Sequence, residues 1–277
     1  DVTEQSFSEY ISTEIFLPLG MESATFDIDT TATPYPPTGY NLGGRPVSVY
    51  LYPSKASGGL FATAHDIALF AAMGMTENPV LSGESIKLLY APQSHKIGIY
   101  GLIFDAYGFG HYIEKLPNGA HSVSHGGQGN GIMTHFQAVP ETGDAIIILT
   151  NSQRSWPFIA YVLSDWALWR GFPSVGMGRI IWGHYVLCAV IGMLISTSLL
   201  MVLRLNKYRR TSFRLLRVGT ASILLGILIW CACQKYLFIT SVFPILSMWL
   251  GGATLVFSIV LLLSALLPTQ PRNKGQL

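Results

Sequence analysis

Histidines, cysteines and serines are the residues of this 277-residue chain with side chains suited to nucleophilic, proton-transfer or metal chemistry near neutral pH. The histidines of the first half, among them His111, His121, His125 and His135, are well spread. Two residues four apart on one extended strand lie about 13 Å from each other, too far to share a metal ion, so no metal site is expected. Cys188, Cys231 and Cys233 all fall in the second half, so residues 1–176 can build neither a disulfide nor a zinc framework. Nothing in the chain calls for a cofactor. The one compact motif is His125-Gly126-Gly127, which taken alone reads as a tight turn with a strand-end histidine.

The elements that must position this motif follow from patterning. Ser6-Phe7-Ser8-Glu9 is a capping box, and Tyr10, Ile11 and Ile15 continue at helical spacing, which predicts a helix over 6–16 ended by Pro18 and Gly20. Residues 31–53 are rich in Pro, Tyr and Gly and read as a long ordered loop. Thr63-Ala64-His65-Asp66 opens a second helix with a buried stripe of Ile67, Leu69, Phe70 and Met73, and a third begins near Ser82. After Pro92 short β-rich runs appear at 98–104, 108–114, 120–125, 132–139 and 145–150, with turns at 117–119 and 140–143. A helix over 156–170 closes the region. Helices, then antiparallel strands, then a helix make an α+β fold.

Charge divides the chain. Residues 1–176 carry all 15 acidic residues and 7 basic ones, a net −8, whereas the remainder carries 10 basic residues and no acid. The acidic half excludes nucleic acid as a partner. The basic half holds three apolar runs, about 180–203, 218–239 and 245–267, each long enough to span a hydrocarbon core about 30 Å thick. Arg204, Lys207, Arg209, Arg210, Arg214 and Arg217 follow the first run, and Arg272 and Lys274 follow the third. Clusters of this kind resist translocation, so the loop 204–217 and the C-terminus are expected in the cytoplasm and residues 1–172 outside it, with 173–277 a multi-pass membrane domain whose partner is the lipid bilayer. No acid lies mid-span to carry transport or proton relay.

The order of motifs in residues 1–170 resembles the serine β-lactamase and penicillin-binding-protein superfamily, in its class C-like branch. The matching pieces are Ile15-Phe16-Leu17-Pro18-Leu19-Gly20-Met21 with Thr25, then Ser57-Gly58-Gly59-Leu60 leading into Thr63-Ala64-His65-Asp66-Ile67-Ala68-Leu69-Phe70, then His125-Gly126-Gly127 and the last strand 145–151. The resemblance implies a β-lactamase-like antiparallel sheet flanked by helices, present in part, and acyl-enzyme hydrolysis of a small-molecule or peptide amide or ester. It also places His125-Gly126-Gly127 at the K-T-G position. Gly127 would let substrate lie against the backbone, the Gln128 N–H would face the developing oxyanion, and His125 would bind a substrate carboxylate or tune a tyrosine. The S-x-x-K and Y-x-N motifs that supply nucleophile and base are not found: Ser85 and Ser94 precede Lys87 and Lys96 at the wrong offset. The expectation is a fragment of a cell-wall-facing membrane hydrolase, inactive alone. The competing reading is a non-catalytic module that binds wall peptides and passes occupancy to the helices.

Overall fold

In the computed structural model, residues 3–28, 36–204, 213–234 and 237–266 are described. The chain forms two compact units, Asp1–Ile181 and Trp182–Leu277.

Ser6 caps the first helix by accepting from the Glu9 N–H at 3.2 Å, and α1 (Phe7–Ile11) runs on through a π-turn, Ser12–Phe16, into α2 (Leu17–Leu19). The helical run passes the predicted end at residue 16 and takes in Pro18, directly after the π-turn. Gly20 then ends it at φ +73°. The loop expected over 31–53 holds a two-residue strand pair, β1 (Gly39–Tyr40) and β2 (Pro46–Val47); residues 29–35 lie outside the described ones. After the short α3 (Lys55–Gly58), Thr63 and Asp66 form a reciprocal capping box that starts α4 (Ala64–Met73), and Ser82 caps α5 (Gly83–Leu89).

The strand expected at 98–104 is instead a 3₁₀ turn, Gly98–Leu102: Gly98 has φ +61°, and Tyr100 O accepts from both Ile103 N and Phe104 N, so the chain coils where its alternation read as extended. The sheet then forms in the order β3 (Ala106–Tyr107), β4 (Tyr112–Lys115), β5 (His121–Gln128), β6 (Met133–Val139), β7 (Asp144–Thr150), every pair antiparallel. Its register sets Ile113, Val123 and Ala138 side by side on one face, with Ala106 beside them and Phe136 edge-on to Phe70 of α4 at 6.5 Å. The opposite face carries Val139, which with Leu116 packs on Ala167 of α6 (Phe158–Trp169) and on Phe172. The first unit is therefore an antiparallel sheet held between helices, an α+β fold.

Among the described residues three helices are long and apolar enough to cross a membrane: α7 (Val175–Leu203), α8 (Arg214–Cys233) and, after the short α9 (Phe238–Val242), α10 (Pro244–Leu266). At about 1.5 Å per residue, the 29 residues of α7 reach about 43 Å, longer than a hydrocarbon core. Gly176 and Met177, in its first turns, are buried within the first unit. The second helix ends at Cys233 rather than near 239, because Gln234 turns extended at ψ 134°, and it begins early enough to take in Arg214 and Arg217. Arg217 donates to Ser264 O of α10 at 3.3 Å. Lys207, Arg209, Arg210, Lys235, Arg272 and Lys274 lie outside the described residues.

Candidate active site

Strand β5 does not stop at His125, as a tight turn would require. It continues to Gln128, pairing His125 with Phe136, Gly126 with His135, Gly127 with Thr134 and Gln128 with Met133. The hairpin beyond it is closed by Gly129 N–H donating to Ile132 O at 2.9 Å. Antiparallel amides alternate in direction. Since the Gly129 amide bonds across the hairpin and the Gly127 amide donates to Thr134 Oγ1 at 3.2 Å, the Gln128 amide is directed to the opposite side of β5. On that side β4 begins only at Tyr112, opposite Ser124, so the edge of β5 from His125 to Gln128 lies beyond its end.

Gly127 serves its neighbour on β6: a Cβ there would stand 2.6 Å from Thr134 Oγ1, so the space a side chain would fill belongs to the threonine hydroxyl. Gly126 faces the other way, where a Cβ would meet His135 Nδ1 at 3.1 Å. Thr134 had no motif to announce it; only the pairing register brings it to Gly127.

His125 is exposed, beside a group of aromatic rings. Tyr112 lies nearly parallel to it at 5.8 Å and Tyr107 lies at 6.3 Å; Phe104 and Tyr100 stand behind Tyr112 at 4.4 and 5.3 Å. Loss of water around the imidazole holds its pKa below 6.5, opposed by a hydrogen bond with the Gly126 backbone, so the ring is neutral at pH 7. A neutral imidazole offers one donor and one acceptor to a bound group.

The long loop fixes the far end of the site. Tyr40 N donates to Gly131 O at 3.0 Å, Asn130 Nδ2 to Ser48 O at 3.4 Å and Gln153 Nε2 to Gly129 O at 2.9 Å. Gly131, at φ +77°, packs backbone to backbone on Gly39, leaving no room for a Cβ on either residue.

Three other histidines of the sheet region have surroundings of their own. His111 Nδ1 lies 2.7 Å from Phe109 O, and burial holds its pKa down. His121 meets Glu141 at 3.0 Å. His135 is buried against Trp156, and desolvation pushes its pKa down to about 3, so it stays neutral. The Ser85 hydroxyl pairs with Ser82 Oγ at a helix cap, and the Ser94 hydroxyl accepts from Lys96 N–H, so both are held in local turns.

The sequence of residues 1–161 matches the family model for beta-lactamase. The chain belongs to the beta-lactamase family. Among solved structures it is similar to an octameric penicillin-binding protein homologue from Pyrococcus abyssi, at 26% identity and TM-score 0.55, over 61% of this chain and 39% of that one. Weaker likenesses join it to a D-stereospecific amidohydrolase from a Streptomyces species (21%, TM-score 0.45, 54% of this chain and 45% of that one) and to a class C beta-lactamase from Rhodobacter sphaeroides (16%, TM-score 0.46, 55% and 50%). The match thus spans half or less of the length of these structures. A comparison with curated proteins finds no match.

Proposed function

We propose that this chain is the C-terminal part of a membrane-anchored serine hydrolase that cleaves an amide or ester through an acyl-enzyme. A serine hydroxyl attacks the substrate carbonyl, the Gln128 N–H holds the oxyanion as the tetrahedral intermediate forms, and collapse expels the amine or alcohol before water releases the acid. His125, neutral and exposed beside Tyr112, gives a hydrogen bond to a substrate carboxylate or to the tyrosine that moves the proton. Gly127, with no side chain of its own, leaves the backbone open for substrate to lie against it. The 277 residues hold no S-x-x-K and no Y-x-N, so in this reading the serine and its base come from polypeptide outside them. The apolar helices hold the catalytic unit outside the cytoplasm, with the arginine-rich connector and the C-terminus inside, facing β-lactam, D-amino-acid peptide or ester substrates.

The observation that carries the reading is the end of β5 beyond its pairing with β4, where an exposed histidine is followed by two glycines and an amide directed away from β6, within a beta-lactamase family match. The full-length protein labelled with a fluorescent penicillin and with a fluorophosphonate tests it. A covalent adduct with either probe, with turnover lost in His125→Ala while the fold survives, is expected. Absence of any serine adduct in a folded full-length protein refutes it.

One contact favours the competing reading of a wall-peptide sensor. Glu114, two residues from Tyr112 on β4, accepts from Ser174 Oγ and Gly176 N–H, both at 2.8 Å, at the start of α7. Occupancy at His125 thus has a physical route to the helix. Binding of a wall peptide with no turnover and no serine adduct would decide for the sensor.

A further inference from the structure

The end of α6 and the start of α7 leave an unusual surface. Leu168 and Trp169 are 67% and 77% exposed, although α6 buries Ile159, Ala160, Leu163 and Ala167 on its other side. The chain then turns within a few residues: Gly171 N–H donates to Leu168 O at 3.1 Å and Phe172 N–H to Ala167 O at 3.0 Å, with Phe172 buried beneath. Val175, exposed, opens α7. Leu102, 61% exposed and distant in sequence, is brought to the same place because Arg179 Nη1 donates to its carbonyl at 3.1 Å and Gly176 packs on Ile103 O. Large exposed apolar side chains therefore lie on the segments that lead into the uncharged run from residue 180, together with Arg179 and with Arg170, which stands 5.3 Å from the Trp169 ring.

We propose that this rim, Leu102, Leu168, Trp169 and Val175, lies in the headgroup layer of the bilayer that α7 enters, so that the first unit rests on the membrane surface rather than hanging from a tether. The inference rests on α7 being a true membrane span. Three features commit the rim to lipid. Tryptophan beside arginine is the side-chain pair suited to a boundary with an apolar and a phosphate-rich side. The rim is continuous in sequence with the span, and α7 exceeds a hydrocarbon core by about 13 Å, length enough for its first turns to lie in the headgroup region. The Arg179 guanidinium complements lipid phosphates although the unit as a whole is acidic, whereas Arg170 is held by Asp144 at 2.7 Å. Glu114, which holds the first turn of α7, pairs with Ser122, and His125 is three residues further on, about 10 Å along β5.

Single cysteines test this in the full-length protein, with Cys188, Cys231 and Cys233 replaced by serine, labelled with an environment-sensitive fluorophore and placed in nanodiscs of phosphatidylcholine and phosphatidylglycerol. Leu102→Cys and Trp169→Cys report on the rim, Tyr50→Cys on solvent and Leu199→Cys on the span. The expected result is blue-shifted emission at 102 and 169 with loss of signal when headgroup-nitroxide lipid is added, no loss at 50, and loss at 199 with acyl-chain nitroxide. Rim labels that behave like position 50 while 199 is quenched overturn the proposal and leave the span intact. An unquenched label at 199 refutes the span itself. A blue shift at 102 and 169 without nitroxide quenching shows that protein covers the rim, and equally overturns the proposal.

Discussion

Glu114→Ala isolates a contact whose cost follows from the geometry. The carboxylate is buried, and its two oxygens accept from Ser174 Oγ and Gly176 N–H, while Ser174 Oγ in turn accepts from Met177 N–H at 3.1 Å. Truncation leaves a hydroxyl and an amide without their acceptor, each worth about 1–3 kcal/mol when buried. Relief of the carboxylate's own desolvation offsets part of that sum, for a net local cost of about 2–3 kcal/mol. At about 1.4 kcal/mol per tenfold, the Gly176 and Met177 amides should exchange with deuterium about 30–100-fold faster. Glu114→Gln keeps one acceptor and turns an amide toward a donor, so its effect falls between. The pH dependence is a second check. Desolvation raises the Glu114 pKa above 4.5 in spite of the hydrogen bonds from Gly176 and Ser174. The folded state then binds this proton more tightly than the unfolded one, so the group's contribution to stability is complete below pH 4.5 and is lost as pH climbs through the raised pKa. Glu114→Gln should remove that slope from a melting series. Unchanged exchange at Gly176 and Met177 in a folded Glu114→Ala protein would show that the carboxylate does not hold the start of α7.

Three further substitutions probe the site and its support. Asp66→Ala removes the acceptor for Thr63 N–H, Thr63 Oγ–H and Ser23 N–H and should cost about 1–2 kcal/mol by thermal melting; because hydrogen bonds from Thr63 and Ser23 outweigh desolvation and hold the Asp66 pKa below 3.8, the contribution is present above that pH and fades in acid, and a melting temperature unmoved at pH 7 would contradict it. Tyr112→Leu strips the parallel ring from His125 and admits water, so the imidazole pKa should rise toward 6.5 in an NMR titration; a constant value would place the desolvation elsewhere. Gly127→Ala forces a Cβ to 2.6 Å from Thr134 Oγ1 and should cost about 1–3 kcal/mol, most of it recovered in Gly127→Ala with Thr134→Ala; failure of the double substitution to recover stability would show that the threonine does not set the constraint.

How far the sequence reached can be judged from β5. Alternation placed a strand ending at His125 and stopped there because two glycines follow, and isolated glycines favour turns. The ladder to β6 overrides that preference: every residue to Gln128 has a partner, and the glycines are needed because Thr134 and His135 lean over them. Capping chemistry at Ser6, Thr63 and Ser82 was legible because each cap is settled within four residues. The aromatic group at His125 was not. Tyr100, Phe104, Tyr107 and Tyr112 reach it from a 3₁₀ turn and two strand ends, and the register that assembles them depends on Gly98 coiling a segment whose pattern reads as β. The same holds for Glu114 and Ser174, sixty residues apart: an acid on an alternating strand reads as surface, and only the docked start of α7 makes it a buried acceptor. What local chemistry decides can be read from the chain, whereas the parts that give His125 its surroundings and tie its strand pair to the first apolar helix are set by long-range packing, which is why these are the positions where mutation tells most.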